Sequence, residues 1–547
     1  MKASDLFVKC LENEGVEYIF GLPGEENADL MMSLKNSSIR FILCRHEQAA
    51  AFMADVYGRL SGKSGVCLGT LGPGATNLVT GVADGNMDRA PMVVITGQAD
   101  TKRMHKESHQ AMDVVDMFRP LTKWARQIIH PDNIPEVVRK AFKLAEMEKP
   151  GACHIELPED IAKQQTDTAP IAFNKLRRPA PDEKIVDQAM ALIAAAERPV
   201  ILAGNGAIRK RASKMLREFA HKMGIPVINT FMGKGAIPRT DPHCLFTVGL
   251  QAKDYAVHVL EEADLVIAVG YDLVEYPPRL WNTGNDKKLL HIDFLPAEVD
   301  SDYCVDVEIN ADIANAIWQL NVQLGDHPPR FDIERYADVR ALILDDFSEH
   351  KDDTGSPIKP QKVLWEVRQF LGPQDIVLSD VGAHKMWVAR YFQCDEPNTC
   401  LISNGFCSMG FALPGAIAAK LLHPQQKVLA ISGDAGALMN LQDLETARRL
   451  GLNIVVMIWE DNEYGLIKWK QQMQFDDHSD LSFTNPDWVK LAEAFGCKGI
   501  HCDDAANLPQ ALEAAFASDT PVLLAVPIDY RENLKLTERL GTIHAVL

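Results

Sequence analysis

Basic residues are in short supply: 56 lysines and arginines stand against 75 aspartates and glutamates, a net charge of −19. Binding a nucleic-acid backbone depends on clustered Lys and Arg, so this deficit argues against nucleic acid and in favour of small molecules as partners. Long apolar runs are missing as well. No stretch approaches the ~20 residues needed to cross a bilayer, and MKASDLFVKCLENEGVEYIF (1–20) reads as an amphipathic helix with no signal-peptide core or cleavage site. The expectation is a cytoplasmic protein without a membrane partner. The eleven cysteines include no C-x-x-C pair and lie in apolar segments (Cys44, Cys67, Cys153, Cys407), as reduced, buried thiols do. A disulfide or zinc framework is therefore not expected, and the sequon at 36–38 has no meaning in an unsecreted protein. H-E-x-x-H, G-x-S-x-G and P-loop motifs are absent, which removes support for metalloprotease, serine hydrolase and P-loop NTPase readings. There is no low-complexity segment and no short-period repeat.

What is present is a βαβ rhythm, short apolar strand candidates alternating with helical patterns. YIFGLPG, RFILCRHE, GVCLGTLGPGATN, PMVVITGQ and ACHIELPED fill the first 160 or so residues. After a polar, proline-bearing stretch (163–184) come PVILAGNGA, IPVINTFMGKGA, DLVIAVGYD and KLLHIDFLP. A second charged stretch (348–362) precedes DIVLSDVGAH, CLISNG, KVLAISGDAGALMN, NIVVMIWEDNEYG and PVLLAVPID. The pattern predicts an α/β protein of three doubly wound parallel-sheet domains, over 1–165, 183–345 and 358–547. In such folds ligands sit outside the carboxyl ends of the strands, so these loops are where chemistry is sought.

The strongest constellation lies in the third domain. GDAGALMN follows one candidate strand, and EDNEYGLI follows the next, so Asp434 and Asp461 stand at the ends of consecutive strands. Adjacent parallel strands bring such ends within reach of one Mg²⁺, which takes carboxylate and carbonyl oxygens together with phosphate oxygens. Gly433 and Gly436 allow a phosphate to approach the backbone. On pattern alone, a helix N-cap at Asp434 and a turn residue at Asp461 explain these acids equally well. In the first domain, GTLGPGATN (69–77) is a strand running into a Gly-Pro-Gly turn, with Asn77 at a helix start. AGNGAIRK (203–210) resembles half of a dinucleotide fingerprint, but Arg209 replaces the third glycine and it reads as a structural turn. Glu47 poses a different problem. It sits at a strand-to-helix junction within the apolar CRHEQAAAFMA. A helix dipole favours a carboxylate there, yet a buried carboxylate costs several kcal/mol without a partner. A ligand atom could be that partner.

Taken together, FGLPGEEN, RHEQAAAFMADVYGRLSGKSGVCLGTLGPGATN, PMVVITGQ, SNGFCSMGFALPGA and the GDA and EDNEYGLI segments resemble the thiamine-diphosphate-dependent 2-ketoacid enzymes, and within them most the catabolic acetolactate synthases. The resemblance spans essentially the whole chain, in the order pyrimidine-binding, central and diphosphate-binding domain. It implies that Glu47 is the glutamate that hydrogen-bonds N1′ of the aminopyrimidine, with Pro73 and Asn77 beside it and Gln110 near the reacting centre. It likewise implies that Asp434, Asp461 and the Glu463 carbonyl hold Mg²⁺. Val381, Gly382, Ala383, His384, Gly433, Ala435, Gly436, Tyr464, Gly465 and Leu466 surround the diphosphate, Met409 wedges the cofactor into its bent form, and the Cys407 carbonyl holds its 4′-amino group. G-D-A stands here for the usual G-D-G, and Asp461 stands for Asn.

The same resemblance implies decarboxylation of pyruvate and ligation of the acetyl unit to a second 2-ketoacid; the alternatives are a simple decarboxylase, a carboligase with an aldehyde acceptor, or an acetyltransferase. A homodimer or homotetramer is implied, since the cofactor lies between chains. VGYDLVEYPPRLWN (269–282) lacks the R-F-D-D-R pattern of the FAD-binding relatives, so FAD is not expected. Two departures bear on substrate. Glu26, preceded by Glu25, replaces a lysine, and Lys470 replaces a glutamine, both at positions the resemblance puts near the substrate. The two either pair across the active-site mouth or are both solvated, or Lys470 acts in the reaction by binding a second carboxylate or a larger polar acceptor.

Overall fold

The computed structural model describes residues 1–174, 177–209, 211–249, 255–325 and 330–538. Within the segments discussed above, positions 175–176 of the first linker, Lys210, and the last nine positions of the third predicted domain lie outside the described residues. The chain forms three six-stranded parallel sheets with helices between the strands.

The first sheet contains β1 (Tyr18–Gly21), β2 (Arg40–Leu43), β3 (Gly65–Gly69), β4 (Met92–Gln98), β5 (Trp124–Gln127) and β6 (Ala152–Pro158). The second contains β7 (Pro199–Ala203), β8 (Val227–Asn229), β9 (Cys244–Thr247), β10 (Leu265–Val269), β11 (Lys288–Asp293) and β12 (Val307–Asn310). The third contains β13 (Ile376–Ser379), β14 (Cys400–Ile402), β15 (Val428–Gly433), β16 (Val455–Glu460), β17 (Lys498–His501) and β18 (Val522–Pro527). Sheet one runs β2-β1-β3-β4-β6-β5 and sheet three β14-β13-β15-β16-β18-β17, so counted from the first strand of each the order is the same. Sheet two runs β12-β11-β10-β7-β8-β9, the arrangement of dinucleotide-binding folds. Central strands such as β3, β4, β6, β7 and β10 are buried along their whole length. Helices cover both faces, which is why these strands read as near-continuous apolar runs in the sequence. The strands that the sequence pattern does not reveal, β5, β9, β12 and β17, all lie at sheet edges.

The central domain has an apolar core of its own, and the first and third domains, beside a further core in each, share one. That shared core is built on the helix Glu47–Ser61 of the first domain and the helix Ala412–Leu422 of the third. Their contact is close: a Cβ on Gly415 would lie 2.8 Å from Val56. Phe52 meets Phe411 edge to face at 5.7 Å between ring centroids, the favoured geometry for two aromatic quadrupoles. His46 caps the first of these helices by accepting from the Gln48 amide, and Gly62, at φ 68°, ends it in the left-handed region. The cap places Glu47 in the first helical turn, at the start of a rod that runs into the third domain.

Candidate active site

The order of the third sheet changes direction between β13 and β15, and a cleft of about 250 Å³ opens outside the carboxyl ends of these strands. Four segments build it. Val381, Gly382, Ala383 and His384 follow β13; Gly433, Asp434, Ala435 and Gly436 follow β15; Asp461, Glu463, Tyr464, Gly465 and Leu466 follow β16; and Cys407 and Met409 come from the loop after β14. All of these were candidates from the sequence, and they line one cleft.

Asp434 and Asp461 are neighbours because β15 and β16 pair in register up to Gly433 and Trp459. Asp434 is nearly fully buried, and its Oδ2 accepts from the amides of Asp461 (3.1 Å) and Asn462 (2.8 Å) and from Asn485 Nδ2 (2.7 Å). Burial, and after it the Asp434 charge, push the Asp461 carboxyl up to about 8. Two carboxylates crowded in this way resist ionising together, a cost that a bound cation or a shared proton offsets. Asp434 is not a side-chain N-cap: it opens a short helix, and its Oδ1 accepts from the adjacent Ala435 amide. Behind the cleft, burial drives the imidazole of His384 down to about 3, so the ring is neutral, and its buried Nε2 has no protein hydrogen-bond partner. Gly382 and Gly433 face that ring; a Cβ on Gly382 would meet it at 2.8 Å. The floor of the cleft is therefore backbone and imidazole edge, free of side chains that would keep a phosphate away.

The first-domain candidates form a separate group in the same chain. Glu47 is 8% exposed, and its Oε2 accepts from Asn77 Nδ2 at 3.0 Å. Gly74 passes so close that a Cβ there would lie 3.5 Å from Glu47 Oε1. Pro73 is the first residue of the helix Pro73–Met87, and Gln110, itself at φ 57°, packs against the preceding Gly72. None of Glu47, Pro73, Asn77 or Gln110 lines the third-domain cleft of its own chain. Lys470 does not line it either; it is exposed on the helix Gly465–Phe475. Within one chain Glu26 and Lys470 are not paired: the Glu26 carboxylate accepts from the Thr70 hydroxyl at 3.0 Å, and Glu25 is exposed.

Sequence reasoning missed four residues around the cleft. Tyr530 and Ile467 line it, Asn485 bonds Asp434, and Asp380 is fully buried and accepts from the Gly410 amide (2.8 Å) and the Ser432 hydroxyl (2.9 Å). Asp380 directly follows the predicted strand DIVLS, the position where functional side chains collect in this fold, and could have been singled out on that ground. Asn485 sits in a loop whose composition gives no such signal.

Three sequence profiles match the chain: "Thiamine pyrophosphate enzyme, N-terminal TPP binding domain" over residues 1–117, the central domain of the same enzymes over 186–320, and their C-terminal TPP binding domain over 380–526. Among curated proteins, the chain is 34% identical to "Acetolactate synthase" of Bacillus subtilis (strain 168), over 98% of this chain and 94% of that one. It is 36% identical to "Acetolactate synthase, catabolic" of Raoultella terrigena, over 99% and 97%. It is 36% identical to "Probable acetolactate synthase large subunit" of Methanocaldococcus jannaschii, over 98% and 93%.

Proposed function

The chain belongs to the thiamine pyrophosphate enzyme family, and from that premise we infer that it is an acetolactate synthase, decarboxylating pyruvate and joining the two-carbon unit to the carbonyl of a second 2-ketoacid. The observation that carries this reading is the cleft at the switch point of the third sheet, where two adjacent acids, a neutral histidine with an unpartnered nitrogen and a floor of glycine backbone and imidazole edge converge.

These residues fit thiamine diphosphate with Mg²⁺. The carboxylates of Asp434 and Asp461 and the carbonyl of Glu463 supply the hard oxygen ligands that the metal prefers, leaving positions for diphosphate oxygens. The backbone at Gly382, Ala383 and 433–436, the His384 Nε2 and the segment 464–466 surround the diphosphate, while Cys407 and Met409 form the wall nearer the reacting end. When bound, thiamine diphosphate supplies the carbon nucleophile and the electron sink for loss of CO₂. The chain supplies Glu47, which exchanges a proton with the aminopyrimidine N1′ while the Asn77 amide holds its other oxygen in place. Gln110 borders the same group and orients the substrate.

Since Glu47 does not line the cleft of its own chain, the reading needs a second copy, with the first domain of one chain facing the third domain of another. Phe406, Leu438, Met439 and Ile467, all about half exposed around the cleft, are the apolar surface such a partner would cover. A homodimer is the smallest assembly that meets this need. No helix among the described residues is long and apolar enough to cross a membrane, and the cytoplasm is the compartment that fits the unpaired cysteines.

The reading is of an enzyme without FAD. At the switch point between β7 and β10, a Cβ on Gly206 would lie 2.5 Å from the Gly270 Cα. The Glu275 carboxylate fills the turn, accepting from the Asn205 amide (3.1 and 3.2 Å) and the Thr230 hydroxyl. Asp272 and Asp293 stand beside it around Lys149. The close approach of Gly206 to Gly270 and the carboxylate in the turn support a reading without FAD.

The test is product analysis by NMR with ¹³C-labelled pyruvate, thiamine diphosphate and Mg²⁺. Acetolactate is the expected main product, with one CO₂ released for every two pyruvates consumed. Acetaldehyde, acetyl phosphate or a product formed only with an added aldehyde would replace this reading with one of its relatives.

A further inference from the structure

The wall of the cleft that carries Cys407 and Met409 is held from outside its own domain. The loop 403–410 begins after β14 and contains a non-glycine residue in the left-handed region, Cys407 at φ 57°. Such a conformation persists where the surroundings over-determine it. The third domain grips the far end of the loop, where Gly410 donates to Asp380 (2.8 Å) and accepts from Asn440 (2.8 Å), and Lys385 Nζ donates to the Cys407 thiol at 3.2 Å. The near end is gripped by the first domain of the same chain. Asp88 accepts from the amides of Asn404 (2.9 Å) and Gly405 (2.7 Å), and Asp84 accepts from the Ser403 hydroxyl at 2.6 Å. Ser403 Oγ in turn accepts from the Ser408 amide at 2.9 Å, closing the loop on itself one residue before Met409. Arg59 completes the clamp, 3.6 Å from Asp88 and donating to the Ile402 carbonyl.

Both acids are almost completely buried, and neither touches the cleft. Asp84 also lies against the fully buried Asp55 of the helix Glu47–Ser61, carboxyl to carboxyl. Without a proton between them these oxygens have no partner, and burial raises both groups, Asp55 to about 7. Two acids sharing a proton in this way form a rigid joint where ionised ones would repel. Surface placement would have sufficed if their task were solubility; burial of three carboxylates costs stability that some specific contact must offset.

We propose that Asp84 and Asp88 are positioning residues for the cofactor: through Ser403 and the amides of residues 404, 405 and 408 they set the loop that presents Cys407 and Met409. The consequence is a division of labour along the first domain. Its helices Glu47–Ser61 and Pro73–Met87 carry Glu47 and Asn77 in their first half and end at the clamp. The helix pair that offers the catalytic carboxylate to one site therefore fixes the cofactor wall of the other. The proposal rests on the assignment of the cleft to thiamine diphosphate.

The test uses the full-length protein without cofactor and then with it. Ser403→Ala removes one hydroxyl and frees the Ser408 amide; Asp84→Asn keeps an acceptor for Ser403 and offers Asp55 a donor, and serves as the conservative control. Hydrogen exchange read by mass spectrometry, in the absence of cofactor, is expected to speed up in the 403–410 peptide of Ser403→Ala and nowhere else, and to stay near wild type in Asp84→Asn. Calorimetric titration with thiamine diphosphate and Mg²⁺ is expected to show roughly tenfold weaker binding to Ser403→Ala, the effect of losing one or two well-placed hydrogen bonds. Unchanged exchange in the loop, exchange raised throughout the protein, or cofactor affinity equal to wild type would each overturn the clamp. Failure of the wild type to bind thiamine diphosphate would instead overturn the cofactor assignment, which the exchange measurement does not depend on.

Discussion

Glu47→Gln is expected to lower turnover by roughly 10²- to 10⁴-fold, the range in which a positioned proton donor or acceptor contributes, with little change in the midpoint of thermal unfolding. The two halves of this expectation have separate causes. A glutamine fills the same volume and its carbonyl oxygen still accepts from Asn77 Nδ2, so the packing of the helix Glu47–Ser61 and its cap at His46 is unaffected. What is lost is the carboxylate's capacity to exchange a proton. Steady-state turnover, calorimetric unfolding and thiamine diphosphate titration on the same preparation separate these effects. A variant that keeps its fold and binds cofactor but turns over slowly is the expected result; full activity would remove Glu47 from the mechanism.

Asp434→Ala is the second large effect, and it acts on binding. On the proposal that Asp434 is a metal ligand, its removal is expected to weaken Mg²⁺-dependent binding of thiamine diphosphate by at least the roughly 10- to 100-fold that loss of a residue one step further from a metal costs. Here stability falls too. The amides of Asp461 and Asn462 and the Asn485 side chain lose their common acceptor, and each donor left unsatisfied costs about 1 to 3 kcal/mol. A companion readout is the titration of Asp461, whose carboxyl is raised by burial and by the Asp434 charge; with that charge gone it should ionise at lower pH. Isothermal titration with and without Mg²⁺ measures the binding loss. Equal cofactor affinity in wild type and variant would show that the metal is held elsewhere.

The central strands of all three sheets were legible because helices cover both their faces, which leaves runs such as PMVVITG and KVLAISG with no polar alternation. Three of the edge strands hid for the opposite reason. β5, β12 and β17 expose one side, are only four residues long, and carry polar residues at exposed positions. In the site, 381–384, 407, 409 and 464–466 came from the family resemblance, whereas Gly433, Asp434, Gly436 and Asp461 were found from the pattern, since a strand followed by Gly-Asp or Glu-Asp marks a place as well as a residue type. Asn485 was not, because it reaches Asp434 from a loop 51 positions away in sequence. Nor did the sequence reveal the buried acids 55, 84 and 88, whose spacing on two helices looks like ordinary surface charge until the loop 403–410 folds over them. The suggested pairing of Glu26 with Lys470 illustrates the same difficulty: charge reversal at two positions does not show that they meet, and within one chain Glu26 bonds Thr70 instead.

The account's central claim is that the carboxylate and the cofactor cleft of each active site come from different chains. Mixing Glu47→Gln protein with Asp434→Ala protein under conditions that exchange subunits tests it most directly. In a hybrid dimer, one site combines the intact Glu47 of one chain with the intact Asp434 of the other, so activity should rise from near zero to about a quarter of wild type once exchange is complete, half the dimers being hybrid with one working site each. If mass-tagged hybrids form and activity stays at the level of the two parents, each chain builds its site alone and the claim is wrong.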